Sequence, residues 1–144
     1  MSGPKLINDR PLVGIGVMVV KDGMVPFAQR ISGHGAGEYA FPGGHLEFGE
    51  SFAQCARREV MEETGMKVKN VRFQFISNLK KYGCKHYVHI GLIADWQSGV
   101  LQNLEPHKHG PWQWYKIGEF PLPMFETCRL AALSYKNGKS YFDN

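Results

Sequence analysis

The stretch that most restricts how this chain can fold runs from Ser51 to Gly65, SFAQCARREVMEETG. Ser51 with Gln54 three residues later has the pattern of a capping box, and Gly65 supplies the left-handed residue that ends many helices, so a helix is predicted over residues 51–64. At about 100° per residue, Phe52, Cys55, Ala56, Glu59, Glu62 and Glu63 fall within an arc of about 120°. The face that should meet the protein interior therefore turns acidic halfway along. Glu59 precedes Glu62 and Glu63 by three and four residues, the spacing at which like charges repel, and all three lie near the helix C-terminus, where the macrodipole disfavours anions. A glutamate-rich helix is ordinarily a solvated one, but three local rules broken together ask for a cation.

An all-oxygen carboxylate site, with no His or Cys at zinc spacing nearby, suits Mg²⁺, with Mn²⁺ as a substitute. Mg²⁺ keeps waters and shares its shell with substrate phosphates, which points to phosphate chemistry. The Gly43-Gly44 turn has no side chains to hold it away, so its backbone can approach the same site and lend a carbonyl.

Around this helix the pattern is mainly that of strands. LVGIGVMVV from Leu12 to Val20 is apolar and β-branched, Asp22-Gly23 marks a turn, and MVPFAQR follows as a candidate partner strand that Pro26 restricts to an edge or a bulge. A glycine-rich loop over residues 32–38 leads to a short strand, YAF, and to a break at Pro42-Gly43-Gly44. KVKNVRFQFIS and KHYVHIGLIADW read as two strands joined by NLKKYG, and WQWYKI as one more. After Pro121 and Pro123 the segment MFETCRLAALSYKNG has roughly helical spacing at Phe125, Cys128, Leu130, Ala132 and Leu133. With 144 residues, no repeat and no linker, the expectation is one α+β domain over residues 1–144, mostly antiparallel sheet with two helices, behind a loose leader at residues 1–11.

The composition excludes some classes. No apolar run is long enough to span a membrane and the first ten residues lack the apolar core of a secretory signal, so a soluble, cytoplasmic protein is expected. Cys55, Cys84 and Cys128 are odd in number and form no Cys-x-x-Cys pair, so all three are read as reduced thiols. The net charge of +4 favours anionic ligands, but no basic cluster exceeds Lys80-Lys81, and stable nucleic-acid binding is not expected.

From Gly44 to Met66, GHLEFGESFAQCARREVMEETGM resembles the signature of the Nudix hydrolases: Gly44, Glu50, Arg58-Glu59-Val60, Glu62-Glu63 and Gly65-Met66 stand at its spacing. AFPGGHLEFGES, with LEP and WQWY downstream, is similar to a MutT-like subgroup of nucleoside triphosphate pyrophosphatases acting on the nucleotide pool, oxidised or otherwise altered nucleotides included. The resemblance implies the Nudix fold, a mixed, mostly antiparallel β-sheet sandwiched between α-helices. It implies that Glu59 and Glu63 are the principal metal ligands, with Glu62 in the cluster and the Gly43 carbonyl completing the site. Arg58 would pair with Glu50 to orient the catalytic helix. Water would attack a phosphorus of a nucleoside triphosphate, releasing nucleoside monophosphate and pyrophosphate, with Glu59, Glu62, Glu63 or a residue of a later loop taking the proton. A symmetric homodimer is compatible with the subgroup.

The chain also departs from that subgroup. Glu105 is the single carboxylate of the loop EPHKHGP, with His107 and His109 as functional substitutes or phosphate contacts, and Phe27-Ala28-Gln29-Arg30 replaces a Leu-Gly-x-Arg pattern while keeping Arg30 as a phosphate contact. His45 is a candidate substrate contact. Trp114, or else Trp112 or Phe120, is a candidate for stacking on a nucleobase. Strand alternation places His86 with Val88 and Tyr87 with His89, and one of those faces is expected to line a pocket. The signature reads the diphosphate and not its attachment, so other nucleoside diphosphate derivatives and prenyl diphosphates stand as alternative substrates. A catalytically inactive nucleotide- or RNA-binding module is the non-enzymatic alternative.

Overall fold

The apolar run Leu12–Val20 forms β1, and both of its faces are covered, which is why it shows little polar alternation. The structure is a computed structural model and describes residues 10–83 and 85–143; most of the expected leader, and Cys84, lie outside the described residues. The elements that follow β1 are β2 (Met24–Gln29), β3 (Tyr39–Ala40), β4 (Gly43–His45), α1 (Phe52–Thr64), β5 (Lys67–Leu79), β6 (Tyr87–Ser98), β7 (Gln113–Lys116), α2 (Glu126–Asn137) and β8 (Tyr141–Asp143). They build a five-stranded sheet, β4-β1-β6-β5-β8, and a three-stranded sheet, β3-β2-β7. The β1–β6 and β5–β8 ladders are parallel and the other four antiparallel, so the fold is α+β with a mixed five-stranded sheet and an antiparallel three-stranded one.

On one face of the large sheet Ile15, Val17 and Val19 of β1 and Ile90, Leu92 and Ala94 of β6 pack against Cys55, Ala56 and Val60 of α1. On the other, Met18, Phe75 and Ile93 meet Val25 and Phe27 of β2 and Cys128, Leu130 and Ala131 of α2. Cys55 and Cys128 are free, buried thiols, in keeping with their reduced reading. In α2 the inward residue is Ala131, while Leu133 is partly exposed. No helix among the described residues is long and apolar enough to cross a membrane.

Three strand expectations need correction. β2 is not a sheet partner of β1: after the turn at Asp22 and Gly23, whose φ angles are +51° and +73°, it leaves for the second sheet. There it is the central strand, yet Pro26 faces only Trp114 of β7, because β3 pairs only with Ala28 and Gln29; the missing N–H therefore falls where β2 has a single neighbour. Gly43–His45, expected as a break, is an edge strand antiparallel to β1. The backbones approach so closely that a Cβ on Gly43 would lie 2.2 Å from the Ile15 carbonyl oxygen, which explains a strand made of residues with poor strand propensity. The short β8 was not anticipated.

β1 carries Gly14 and Gly16 on the face that β6 continues with Tyr87 and His89, in register Leu12↔Tyr87 and Gly14↔His89. Where glycines replace side chains the sheet is bare, and that gap becomes the floor of a cleft.

Candidate active site

Local rules place the acidic residues. Ser51 Oγ accepts the Gln54 N–H at 3.0 Å, Gln54 Oε1 accepts the Ser51 N–H at 2.8 Å, and Gly65 closes the helix with φ +76°, so α1 begins and ends where its capping residues dictate. Its last two turns then project Glu59 and Glu63 beneath β4. A Cβ on Gly44 would fall 2.5 Å from the Glu59 carboxylate carbon, so the glycine is what lets the strand lie over the acid. Glu63, with its side chain 4% exposed, accepts the Gly43 N–H at 3.3 Å. Glu62 stays at the rim, half-exposed.

Arg58 makes the expected pair with Glu50, as a two-pronged contact: Nε donates to Oε2 at 2.6 Å and Nη2 to Oε1 at 2.9 Å. Its Nη1 also donates to Glu59 at 2.7 Å and to Glu62 at 3.2 Å, and Nη2 donates to the His45 carbonyl at 3.2 Å. One guanidinium thus ties the loop before α1 to the helix. Hydrogen bonds from Arg58 hold the Glu50 carboxyl down at about 2. Burial, then the neighbouring Glu63, push Glu59 up to about 8; burial also pushes Glu63 up to about 7, against the hydrogen bonds it receives. The two carboxyls resist ionising together.

Among the described residues, one group of metal-type donors joins Glu63 to residues outside the Glu59, Glu62 and Glu63 trio expected from the helix. Glu63, Glu105 and His109 bring one ligand atom each within 4.8 Å of one another. His109 Nε2 lies 3.4 Å from Glu63 Oε1, and both His109 Nε2 and Glu105 Oε1 are buried without a hydrogen-bond partner. Burial lowers the His109 pKa, which favours the neutral imidazole that ligates metals. Orphaned donors beside two carboxyls that resist joint ionisation fit a divalent cation. Glu105, expected at the substrate, belongs with the acids; His107 is exposed and joins neither group. The loop is pinned for this: the Gly110 N–H donates to the Gln29 carbonyl at 2.8 Å, and Asn103 Nδ2 donates to the His109 carbonyl at 3.0 Å. Only the motif HKHG hinted at His109, since nothing in the spacing ties residues 105–109 to the helix.

From the acids a cleft of about 530 Å³ runs over Gly43, Gly44 and His45 to Gly14, Gly16, Tyr87 and His89. Arg30 lines it, its Nε donating to the His34 carbonyl at 2.9 Å and its guanidinium 4.5 Å from the Phe125 ring. His45 lines it too, with Nε2 3.1 Å from the Tyr87 hydroxyl. The expected stacking residues do not. Trp114 packs against the α1-side core, Trp112 is buried 5.1 Å from the His109 ring, and Phe120 lies 4.7 Å from Phe27. Alternation along a strand shows that such rings share a face, but not which layer that face meets. The aromatic wall is instead His34, Tyr87 and Phe125.

The raised carboxyls predict a pH dependence. Glu59 and Glu63 bind protons more tightly folded than unfolded, so stability falls as pH rises from their ordinary 4.5 towards about 8. His34, His89 and His109 all titrate below their ordinary 6.5 in the folded protein, so above about pH 7 they are largely neutral in both states and leave the carboxyls dominant. In chelator, the melting temperature is expected to drop between about pH 7 and about pH 8, and added Mg²⁺ to reverse the drop, because the metal requires the ionised acids. A melting temperature that rises over that interval without metal contradicts the burial assigned to the pair.

An acid-bearing helix packed on one face of a mixed sheet, held under its glycine edge strand and opening on a cleft, defines a Nudix-type protein. The family model for the NUDIX domain matches residues 10–132, and the chain belongs to the Nudix hydrolase family. A NAD-capped RNA hydrolase NudC from Actinobacillus succinogenes is 36% identical over 103 residues, 72% of this chain and 37% of the relative. An oxidized purine nucleoside triphosphate hydrolase from Danio rerio is 31% identical over 111 residues, 73% of this chain and 66% of the relative. The chain spans about a third of the length of the NudC relatives it matches. The crystal structure of a MutT NUDIX hydrolase from Burkholderia pseudomallei superposes with a TM-score of 0.81 at 25% identity, covering 87% of this chain and 98% of that one.

Proposed function

We propose that this protein is a Mg²⁺-dependent pyrophosphohydrolase that cleaves nucleoside triphosphates to nucleoside monophosphate and pyrophosphate. The observation that carries the reading is the junction of two parts: buried acids with orphaned donors at one end, and an aromatic-walled cleft leading directly from them. Glu59, Glu62 and Glu63 with the Gly43 carbonyl would hold the metal, joined by Glu105 and His109. Bound there, the ion supplies charge neutralisation at the phosphates and acidifies water. Arg58, clamped by Glu50, fixes the direction in which Glu59 and Glu62 point, and Arg30 offers its guanidinium to phosphate oxygens. With the His109 Nε2 lone pair given to the metal, the proton of the attacking water falls to a carboxylate of the cluster, Glu59, Glu62 or Glu63.

The relative from Danio rerio, which acts on oxidized purine nucleoside triphosphates, supports this substrate class. The NudC relatives favour a second reading, in which the diphosphate sits inside another nucleoside diphosphate derivative such as a NAD-type dinucleotide. The purified protein assayed with Mg²⁺, with and without chelator, against nucleoside triphosphates, dinucleotides and prenyl diphosphates separates them. Chelator-sensitive pyrophosphate release from triphosphates is the expected result. Monophosphates from dinucleotides alone would transfer the reading to the second class, and no hydrolysis in Mg²⁺ would leave a binding module.

A further inference from the structure

The hydrolysis reading leaves one polar group of the inner cleft unused. His89 is 8% exposed and lines the cleft. Among the described residues, imidazole hydrogen bonds are made by His45 to Tyr87 and by His86 to Asn78, and none by His89. The imidazole lines the cleft with neither nitrogen committed inside the protein, so both are free to pair with a group that enters it.

The ring is held in place. Phe75 stacks on it with centroids 5.7 Å apart and planes 27° apart, and Phe75 lies so close over Gly91 that a Cβ there would come within 2.0 Å of it. On the open side the imidazole edge meets β1: a Cβ on Gly16 would lie 2.9 Å from Nε2, and one on Gly14 3.4 Å from Nδ1. The two glycines therefore clear the space in front of both nitrogens. Burial lowers the His89 pKa to about 4, so the ring is neutral at physiological pH and presents one donor and one acceptor. Beside it stand the flat faces of Tyr87 and His34, 5.7 Å apart and 27° from parallel, and Phe125, 5.7 Å from His34.

A flat wall next to a fixed donor–acceptor pair matches a planar ring with a hydrogen-bonding edge. A hydrocarbon chain in the same place would strip water from both nitrogens and return nothing. We infer that His89 is the specificity-determining residue of this cleft, reading the edge of a heteroaromatic ring carried on the diphosphate and so selecting nucleotides over hydrocarbon diphosphates. The inference rests on the diphosphate-hydrolysis reading and adds the part of the substrate that the acids do not touch.

His89→Leu and His89→Gln are compared with wild type by steady-state kinetics on nucleoside triphosphates, with geranyl diphosphate as competitor. His89→Leu is expected to raise KM for the nucleotides by roughly 10- to 100-fold with little change in kcat, while the inhibition constant of geranyl diphosphate stays level or falls. His89→Gln, which keeps a donor and an acceptor, is expected to recover to within about tenfold of wild type. Nucleotide KM and geranyl inhibition constant moving together, or neither moving, overturns the inference. Imidazole nitrogen resonances of the wild-type protein provide a readout independent of variant folding: nucleoside monophosphate is expected to shift those of His89 and inorganic pyrophosphate to leave them, and equal responses refute the ring contact. A wild type that hydrolyses no diphosphate at all sinks the hydrolysis reading instead, while the resonance experiment still reports on ring binding.

Discussion

Glu63→Gln is expected to lower kcat by at least about 100-fold in saturating Mg²⁺, and Glu59→Gln to do the same, with the fold intact in both. The substitution keeps shape and removes charge. Glutamine at position 63 still offers an oxygen to the Gly43 N–H, and at position 59 still fills the space under Gly44, so packing has no reason to fail. It also ends the repulsion that raises both carboxyls, so without metal the variants are expected to melt at or above the wild-type temperature. Activity lost together with stability retained, read by kinetics across a Mg²⁺ titration and by thermal melts, is the pattern of residues kept for chemistry. Both variants turning over near the wild-type rate would remove the metal roles assigned to them.

Gly43→Ala is expected to fail in the opposite way, losing stability and activity at once. The added methyl has a backbone atom for a neighbour, the Ile15 carbonyl oxygen at 2.2 Å, so no rotamer change can relieve it and β4 must move off β1. Overpacking of this kind costs about 1–3 kcal/mol or more, which lowers the melting temperature of a domain this size by roughly 5–10 °C. Any shift of β4 also withdraws the Gly43 N–H from Glu63 and opens the cover over Glu59. A Gly43→Ala protein melting within about 1 °C of wild type would show that the β1–β4 contact is looser than described.

Much of the site was readable before the structure because its determinants are local. The caps of α1 and the stripe through Glu59 and Glu63 lie within residues 51–65, where helical spacing alone brings groups together, while the Arg58–Glu50 pair, which reaches back to the loop before the helix, was implied by the resemblance. Phe52 shows the limit even there: it starts the stripe by angle yet is 46% exposed, because the core begins only at Cys55. What stayed hidden depends on contacts distant in sequence. Glu105 and His109 reach Glu63 only because a loop is tied to the end of β2, and β4 exists only because β1 passes close enough to pair with two glycines. Trp114 misled for a related reason: Pro26 opposite it belongs to a second sheet, a layer that alternation cannot report.

The cleft floor at Gly14 and Gly16 belongs to a different strand from the helix that carries the acids. The two are joined through β4, whose Gly43 pairs with Gly16 of the floor and donates its N–H to Glu63 of the helix. A methyl on Gly16 would meet the His89 imidazole at 2.9 Å, so bulk added to that floor is felt first by the ring beside it.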